Sequence, residues 1–125
     1  MKKFLAIIVT ALVAILGISF LLLNLRYEKE EILHDFPVPR GAIITEKRED
    51  KFDNSVSAEW TKASSKGLPL DYELFLKING WEKSIEDAFN EDSKAWYCSY
   101  KKDNELVGVY LSESSSSLII TSSSR

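Results

Sequence analysis

The distribution of apolar and polar positions divides the chain sharply. From Phe4 to Leu23 twenty residues pass without a charge; after them charged residues recur throughout. At about 1.5 Å per residue such a run makes a helix of roughly 30 Å, the thickness of one hydrocarbon core. A secretory signal has a shorter apolar stretch, about 7–15 residues, and ends in small residues that a peptidase accepts. Here Asn24, Leu25, Arg26 and Tyr27 follow instead. The pattern predicts a retained transmembrane helix over 4–24 behind a cytoplasmic leader, 1–3. Lys2 and Lys3 precede the run, and Arg26 and Lys29 follow it among Glu28, Glu30 and Glu31. Counting Lys and Arg favours the N-terminus inside. The C-terminal domain is then extracellular, the localisation is the cell membrane with a single pass, and Tyr27 suits the outer interface.

Beyond the apolar run, "RYEKEEILH" holds good helix formers and predicts that the helix continues outward. "DFPVPRG" stops it, because Pro37 and Pro39 push their preceding residues to extended conformations. Residues 25–41 thus read as a helical neck and proline connector. "AIITEK" (Ala42 to Lys47) is β-branched and predicts a strand. "SAEWTKASSKG" predicts a short helix capped by Ser57 and closed by Gly67. In "LPLDYELFLKINGW" the apolar positions fit a helical face and a strand alternation equally. Pro69 before it and Gly80 after it decide for a helix of about three turns.

The hairpin around Asp103-Asn104 is the clearest local structure. A two-residue loop pairs Lys102 with Glu105 and places Tyr100 opposite Val107, Cys98 opposite Val109 and Trp96 opposite Leu111, all on one face. Tyr97 with Tyr110 and Ser99 with Gly108 fall on the other. A one-residue slip would destroy that sorting. "SLIIT" (Ser117 to Thr121) predicts a further strand, and residues 122–125 read as a disordered tail. The fold class is therefore α+β: a single transmembrane helix, then a small domain over 42–121 with an antiparallel sheet of 3–5 strands packed against one or two helices.

The segments "FPVPRGA", "GLPLDYELFLKINGW" and "WYCSYKKDNELVGVYL" together resemble small membrane-anchored or lipid-anchored extracytoplasmic proteins of low-GC Gram-positive bacteria. Pro39, Gly67, Pro69, Tyr72, Gly80 and Trp81 carry most of the likeness, over roughly Asp35 to Leu111. The resemblance implies a cell-surface location and a helix over Leu70 to Asn79. It implies no activity and no catalytic residue. The one cysteine, Cys98, is far from the end of the apolar run, which departs from a lipoprotein pattern.

Charge and cysteine content narrow the chemistry. The chain carries −3, and without Lys2 and Lys3 there remain 14 basic against 19 acidic residues, a balance of −5. Scattered negative charge argues against nucleic acid and against docking on anionic lipid beyond the anchor. One cysteine makes no intramolecular disulfide, so packing must hold the domain.

Each candidate for chemistry has a simpler structural role beside it. His34 is the single histidine and the one imidazole available to a catalytic triad or dyad; at the neck it reads as a solvated residue. Cys98 falls on the core face of the hairpin and reads as an inert small hydrophobe. The carboxylates Glu86, Asp87, Glu91 and Asp92 lack the order of an EF-hand and read as a solvated loop. No pair of carboxylates is singled out as a glycosidase couple, and no phosphate-cradling glycine loop is present. Among the aromatics, Trp81 and Trp96 are expected in the core, with Trp60 and Tyr72 also candidates for it. Tyr97 and Tyr110 are the candidate interaction surface. Ala6, Thr10, Ala14 and Gly17 form a candidate packing face on the membrane helix, for a weak homodimer or a larger membrane partner.

These features favour a membrane-tethered extracytoplasmic module that binds a protein partner at the envelope, without cofactor and without catalysis. A small-ligand or ion-binding sensor with a pocket between helix and sheet is the alternative. A small hydrolase ranks last for want of a base.

Overall fold

The computed structural model describes residues 2–90, 92 and 94–124 of the 125. Helix α1 (Lys2–Arg26) is long and apolar enough to cross a membrane. It is followed directly by strand β1 (Tyr27–Glu30), a 3-10 turn (Glu31–Leu33) and strand β2 (Phe36–Pro39). Then come β3 (Ile43–Glu49), β4 (Asp53–Glu59), helix α2 (Leu70–Ile78), β5 (Glu82–Asn90), β6 (Ala95–Lys102), β7 (Glu105–Ser112) and β8 (Ser117–Ser124). The domain is α+β. Six antiparallel strands lie in the order β3-β4-β8-β7-β6-β5, one more than the upper bound expected, and β1 pairs with β2 in a separate ribbon.

The neck is not helical. α1 stops at Arg26, and Tyr27 to Pro39 turn back as the β1–β2 ribbon, with Tyr27 opposite Pro39 and Glu30 opposite Phe36. Burial drives this: Tyr27, Leu33, Phe36 and Val38 all enter the core. Helix propensity differs by tenths of a kcal/mol per residue among ordinary residues. Burying one large apolar side chain is worth about 1.5–3 kcal/mol. Tyr27 therefore belongs to the domain core rather than to a lipid interface. Its ring lies 4.5 Å from that of Tyr72 and 5.7 Å from that of Phe75. His34 and Asp35 take left-handed backbone at φ 56° and 66° to make the turn.

The segment expected as a helix from Ser57 is also a strand. Ser57 pairs with Ile119 on one side and Glu46 on the other, while Val56 and Ala58 point into the core. Gly67 does adopt positive φ, 104°, but in a turn closed by its N–H to the Ser64 carbonyl. A Cβ there would sit 3.1 Å from Nε1 of buried Trp96. Gly67→Ala is expected to lower stability by about 1–2 kcal/mol through strained backbone and overpacking, read by denaturant unfolding of the detergent-solubilised chain.

α2 forms as its punctuation predicts, with Pro69 as N-cap. At its end the Trp81 N–H bonds the Leu76 carbonyl at 2.9 Å and the Gly80 N–H bonds the Lys77 carbonyl at 3.1 Å. With Gly80 at φ 89° this is a Schellman closure, and buried Trp81 and Leu76 supply its apolar contact. The hairpin register of β6 and β7 matches expectation at all the pairs predicted above. The tail does not fray at Thr121: β8 continues to Ser124, with Ser122 buried opposite Val107 and Asn54.

One face of the sheet (Trp96, Cys98, Tyr100, Val107, Val109, Leu111, Leu118, Ile120, Val56) packs under α2 and the β1–β2 ribbon. Tyr72 donates from its hydroxyl to the Pro37 carbonyl and ties helix to ribbon. Asn54 donates to the Ile32 carbonyl at 2.9 Å, fixing the 3-10 turn to the sheet. Lys47 faces the core side of edge strand β3 and pairs with Glu30 at 3.0 Å. A charge pointed inward on an edge discourages pairing with another chain.

α1 joins this body without a linker. Leu23 is buried against the domain. Arg26 and Tyr27 both bond Asp71 at the start of α2, at 2.8 and 2.9 Å. The Arg40 N–H donates to the Arg26 carbonyl at 2.8 Å. α1 is thus tied to the domain by both side-chain and backbone contacts.

Candidate functional site

Among the described residues no helix lies over the second face of the sheet. Strand alternation puts three rows of side chains there, in register across the strands. The first runs Tyr97, Tyr110, Ile119, Ser57; the second Ser99, Gly108, Thr121, Ser55; the third Lys101, Leu106, Ser123, Asp53. Tyr97 is 41% exposed and Tyr110 half-buried. The Tyr97 ring does not stand away from the sheet. It reaches diagonally over Gly108, where an added Cβ would lie 2.9 Å from its Oη and 3.2 Å from its ring edge. Glycine at 108 therefore creates the berth that holds the ring flat. This is the diagonal cross-strand contact open to long aromatic side chains.

Around these residues lies a shallow concavity of about 300 Å³, walled by Asp53, Tyr97, Leu106, Tyr110, Ile119 and Thr121. Aromatic and aliphatic area is combined there with hydroxyls and one carboxylate. The set suits adhesion to a complementary surface: apolar contact with polar groups that fix orientation. Tyr97 and Tyr110 meet as the hairpin register predicts. Leu106 lies on the same hairpin, opposite Lys101, whereas Ile119, Thr121 and Asp53 join only because β8 and β4 continue the sheet. Gly108 was legible as the residue opposite Ser99, but the ring lying over it was not.

The other candidates lie apart from this face. His34 Nε2 is 3.0 Å from Glu105 Oε2 at the 3-10 turn. Cys98 is fully buried on the core side of β6, with Sγ 3.7 Å from the Ser99 carbonyl. His34 and Cys98 thus sit at different sites. Trp60, Trp81, Trp96 and Tyr72 are core residues. The side chains of Glu86, Asp87 and Glu91 lie outside the described residues. Among the described residues no three His, Cys, Asp or Glu side chains gather as a metal-binding group. In α1, Thr10 bonds the Ala6 carbonyl of its own helix at 2.8 Å, and Gly17 has open space beside it. The face of Ala6, Thr10, Ala14 and Gly17 is exposed.

A second concavity, about 400 Å³, opens between the end of α2 and strands β5 and β6. Glu73, Lys77, Trp81, Glu82, Lys83 and Tyr100 line it, and Lys83 pairs with Glu73 at 3.5 Å across it. It occupies the helix–sheet position at which a ligand pocket is expected.

No protein-family model matches the chain, and no curated protein matches it.

Proposed function

We propose that the protein is a membrane-tethered extracytoplasmic interaction module. α1 is its single transmembrane anchor, and the Tyr97–Tyr110 face is the surface that meets a protein partner at the envelope. The observation that carries the reading is the Tyr97 ring held flat over Gly108 beside Tyr110, Leu106 and Ile119, on a sheet face that no described helix covers. A tyrosine already fixed in place gives up little conformational freedom on binding. Tyrosine is also enriched among the residues that dominate interface energies. The anchor confines partner search to the membrane and raises effective concentration, so modest affinity suffices. The resemblance to surface-displayed proteins of low-GC Gram-positive bacteria agrees with this placement.

The test uses photo-crosslinking side chains at positions 97 and 110 of the full chain in its native cells, with exposed Lys66 as control position. One dominant adduct from 97 and 110, missing from 66, is expected. Tyr97→Ala should reduce co-purification of that partner tenfold or more, with little change in unfolding temperature. Gly108→Ala should act in the same direction by displacing the ring. Equal adducts from all three positions, or normal co-purification by both variants, would refute the reading. Protease added to intact cells should digest the domain if it faces outward.

The ligand-sensor alternative finds its support in the cleft beside Trp81. Trp81 fluorescence responding to a small molecule, with the crosslink absent, would favour it.

A further inference from the structure

The cleft at the junction of α1 and the domain has a different character from the rest of the surface. It encloses about 350 Å³, and Leu25, Arg26, Pro39, Arg40, Trp60 and Lys62 are among its lining residues. Three cations face it, from three separate parts of the chain, and no carboxylate lines it. The domain as a whole is acidic, so the fold has gathered positive charge at one end. Asp71 holds one nitrogen of Arg26 at 2.8 Å, and the side chain remains 60% exposed. Arg40 approaches the Asn24 carbonyl with Nε at 3.3 Å and Glu28 at 4.0 Å, and it remains 50% exposed. Each guanidinium is thus steadied on one side. With five N–H donors each, they retain donors for a planar or tetrahedral oxyanion. Leu70, adjacent to Asp71 and so close to Arg26, is also exposed, which puts apolar and cationic groups at the same end.

From this arrangement we infer that the junction cleft binds the phosphodiester of an anionic membrane lipid. The inference rests on the reading of α1 as a membrane span. A 25-residue helix is about 37 Å long, longer than the roughly 30 Å hydrocarbon core. Its last turn, with Leu25 and Arg26, therefore emerges at the level of the headgroups. Arginine binds phosphate by paired N–H donors, and a lysine adds a point charge. Exposed Leu25 lets the cleft open toward acyl chains, which favours a lipid over a free phosphate. Net charge alone argues for the opposite, no attraction to anionic lipid. At physiological salt charges beyond about 8 Å are largely screened, and close to the cleft Arg26, Arg40 and Lys62 outnumber the two carboxylates that touch them, Asp71 and Glu28.

The test reconstitutes the full chain in nanodiscs of phosphatidylcholine with increasing phosphatidylglycerol, followed by native mass spectrometry of the released protein. One retained phosphatidylglycerol, preferred at least tenfold over phosphatidylcholine, is expected. Arg40→Gln with Lys62→Gln should cut that preference by tenfold or more while the protein stays inserted. Excess inorganic phosphate or glycerol phosphate should not displace the lipid. Equal retention of both lipids, or a variant indistinguishable from the original, overturns the cleft while leaving the span intact. Displacement by soluble phosphate overturns the lipid as occupant. Extraction of the protein from the discs by alkaline carbonate overturns the span and the inference with it.

Discussion

Tyr72→Ala is expected to remove about 4–8 kcal/mol of the domain's stability, whereas Tyr72→Phe should cost far less. Tyr72 is fully buried where three parts of the structure converge. Its ring meets Tyr27 of the ribbon at 4.5 Å, Trp60 at 6.0 Å and Phe36 at 6.5 Å. Its hydroxyl donates to the Pro37 carbonyl. Removing a large buried aromatic costs about 3–5 kcal/mol. Leaving a buried carbonyl without its donor adds about 1–3 kcal/mol. A domain of this size has about 5–15 kcal/mol in total, so alanine removes about half of it or more. Phenylalanine keeps the ring and loses the hydrogen bond alone. At about 4–8 °C per kcal/mol, a loss of about 1–3 kcal/mol should lower its unfolding temperature by roughly 4–24 °C. Tryptophan fluorescence of the detergent-solubilised chain during heating measures both, since Trp60, Trp81 and Trp96 are all buried. A Tyr72→Ala protein that unfolds with an undiminished sharp transition would disprove the convergence of ribbon, helix and Trp60 on this ring.

The second large effect belongs to Asp71. One carboxylate accepts from Arg26 at 2.8 Å, from the Tyr27 hydroxyl at 2.9 Å and from the Tyr72 N–H at 2.9 Å. Asp71→Ala removes all three acceptors and leaves the part-buried Tyr27 hydroxyl unmatched. Arg26 is largely exposed, so its ion pair counts for little after screening; most of the expected loss of about 2–3 kcal/mol comes from the Tyr27 and backbone bonds. The same network gives a pH signature. Desolvation pushes the Asp71 carboxyl up, but the hydrogen bonds from Arg26, Tyr27 and Tyr72, with the Arg26 charge, outweigh it and hold it below the ordinary carboxylate value. A carboxyl depressed in the folded state supports folding above its unfolded value of about 3.9. That support is lost as pH falls through the folded value. The native chain should therefore lose stability below about pH 4, and Asp71→Asn should lose less over that interval. At the other end, burial and then Asp71 raise the Tyr27 phenol, and burial followed by Tyr27 and Tyr100 raises that of Tyr72. A raised phenol supports folding below its unfolded value of about 10, and that support drains away above it. Stability measured from pH 2 to 12 should fall at both ends, and a flat acid limb would show that Asp71 is not held as described.

What was legible in the sequence was what neighbouring residues decide among themselves. The apolar run of α1 is a matter of length and composition. Pro69 and Gly80 mark the ends of α2 because a missing N–H and a left-handed φ act within one turn. The β6–β7 register follows from a two-residue loop and strict alternation, and with it the placement of Tyr97 and Tyr110 on the outer face. Tyr27 to Leu33 were illegible for the opposite reason. Their helix propensity is a weak local preference, and it yields to the burial of Tyr27, Leu33 and Phe36 against α2 and the sheet, elements made by residues far along the chain. β4 likewise becomes a strand only between β3 and a C-terminal strand some sixty residues away, and Ser122 and Ser123 are held by the same distant pairing. The Tyr97 berth on Gly108 needed the packed sheet. The basic junction needed Arg26, Arg40 and Lys62 folded to one place. The sequence by itself determined the anchor-like helix, α2 and the hairpin, because the forces involved act over a few residues. Tertiary structure alone decided the ribbon, the strand order, the junction with α1 and the shapes of both clefts, because non-local burial exceeds local propensity wherever the two conflict.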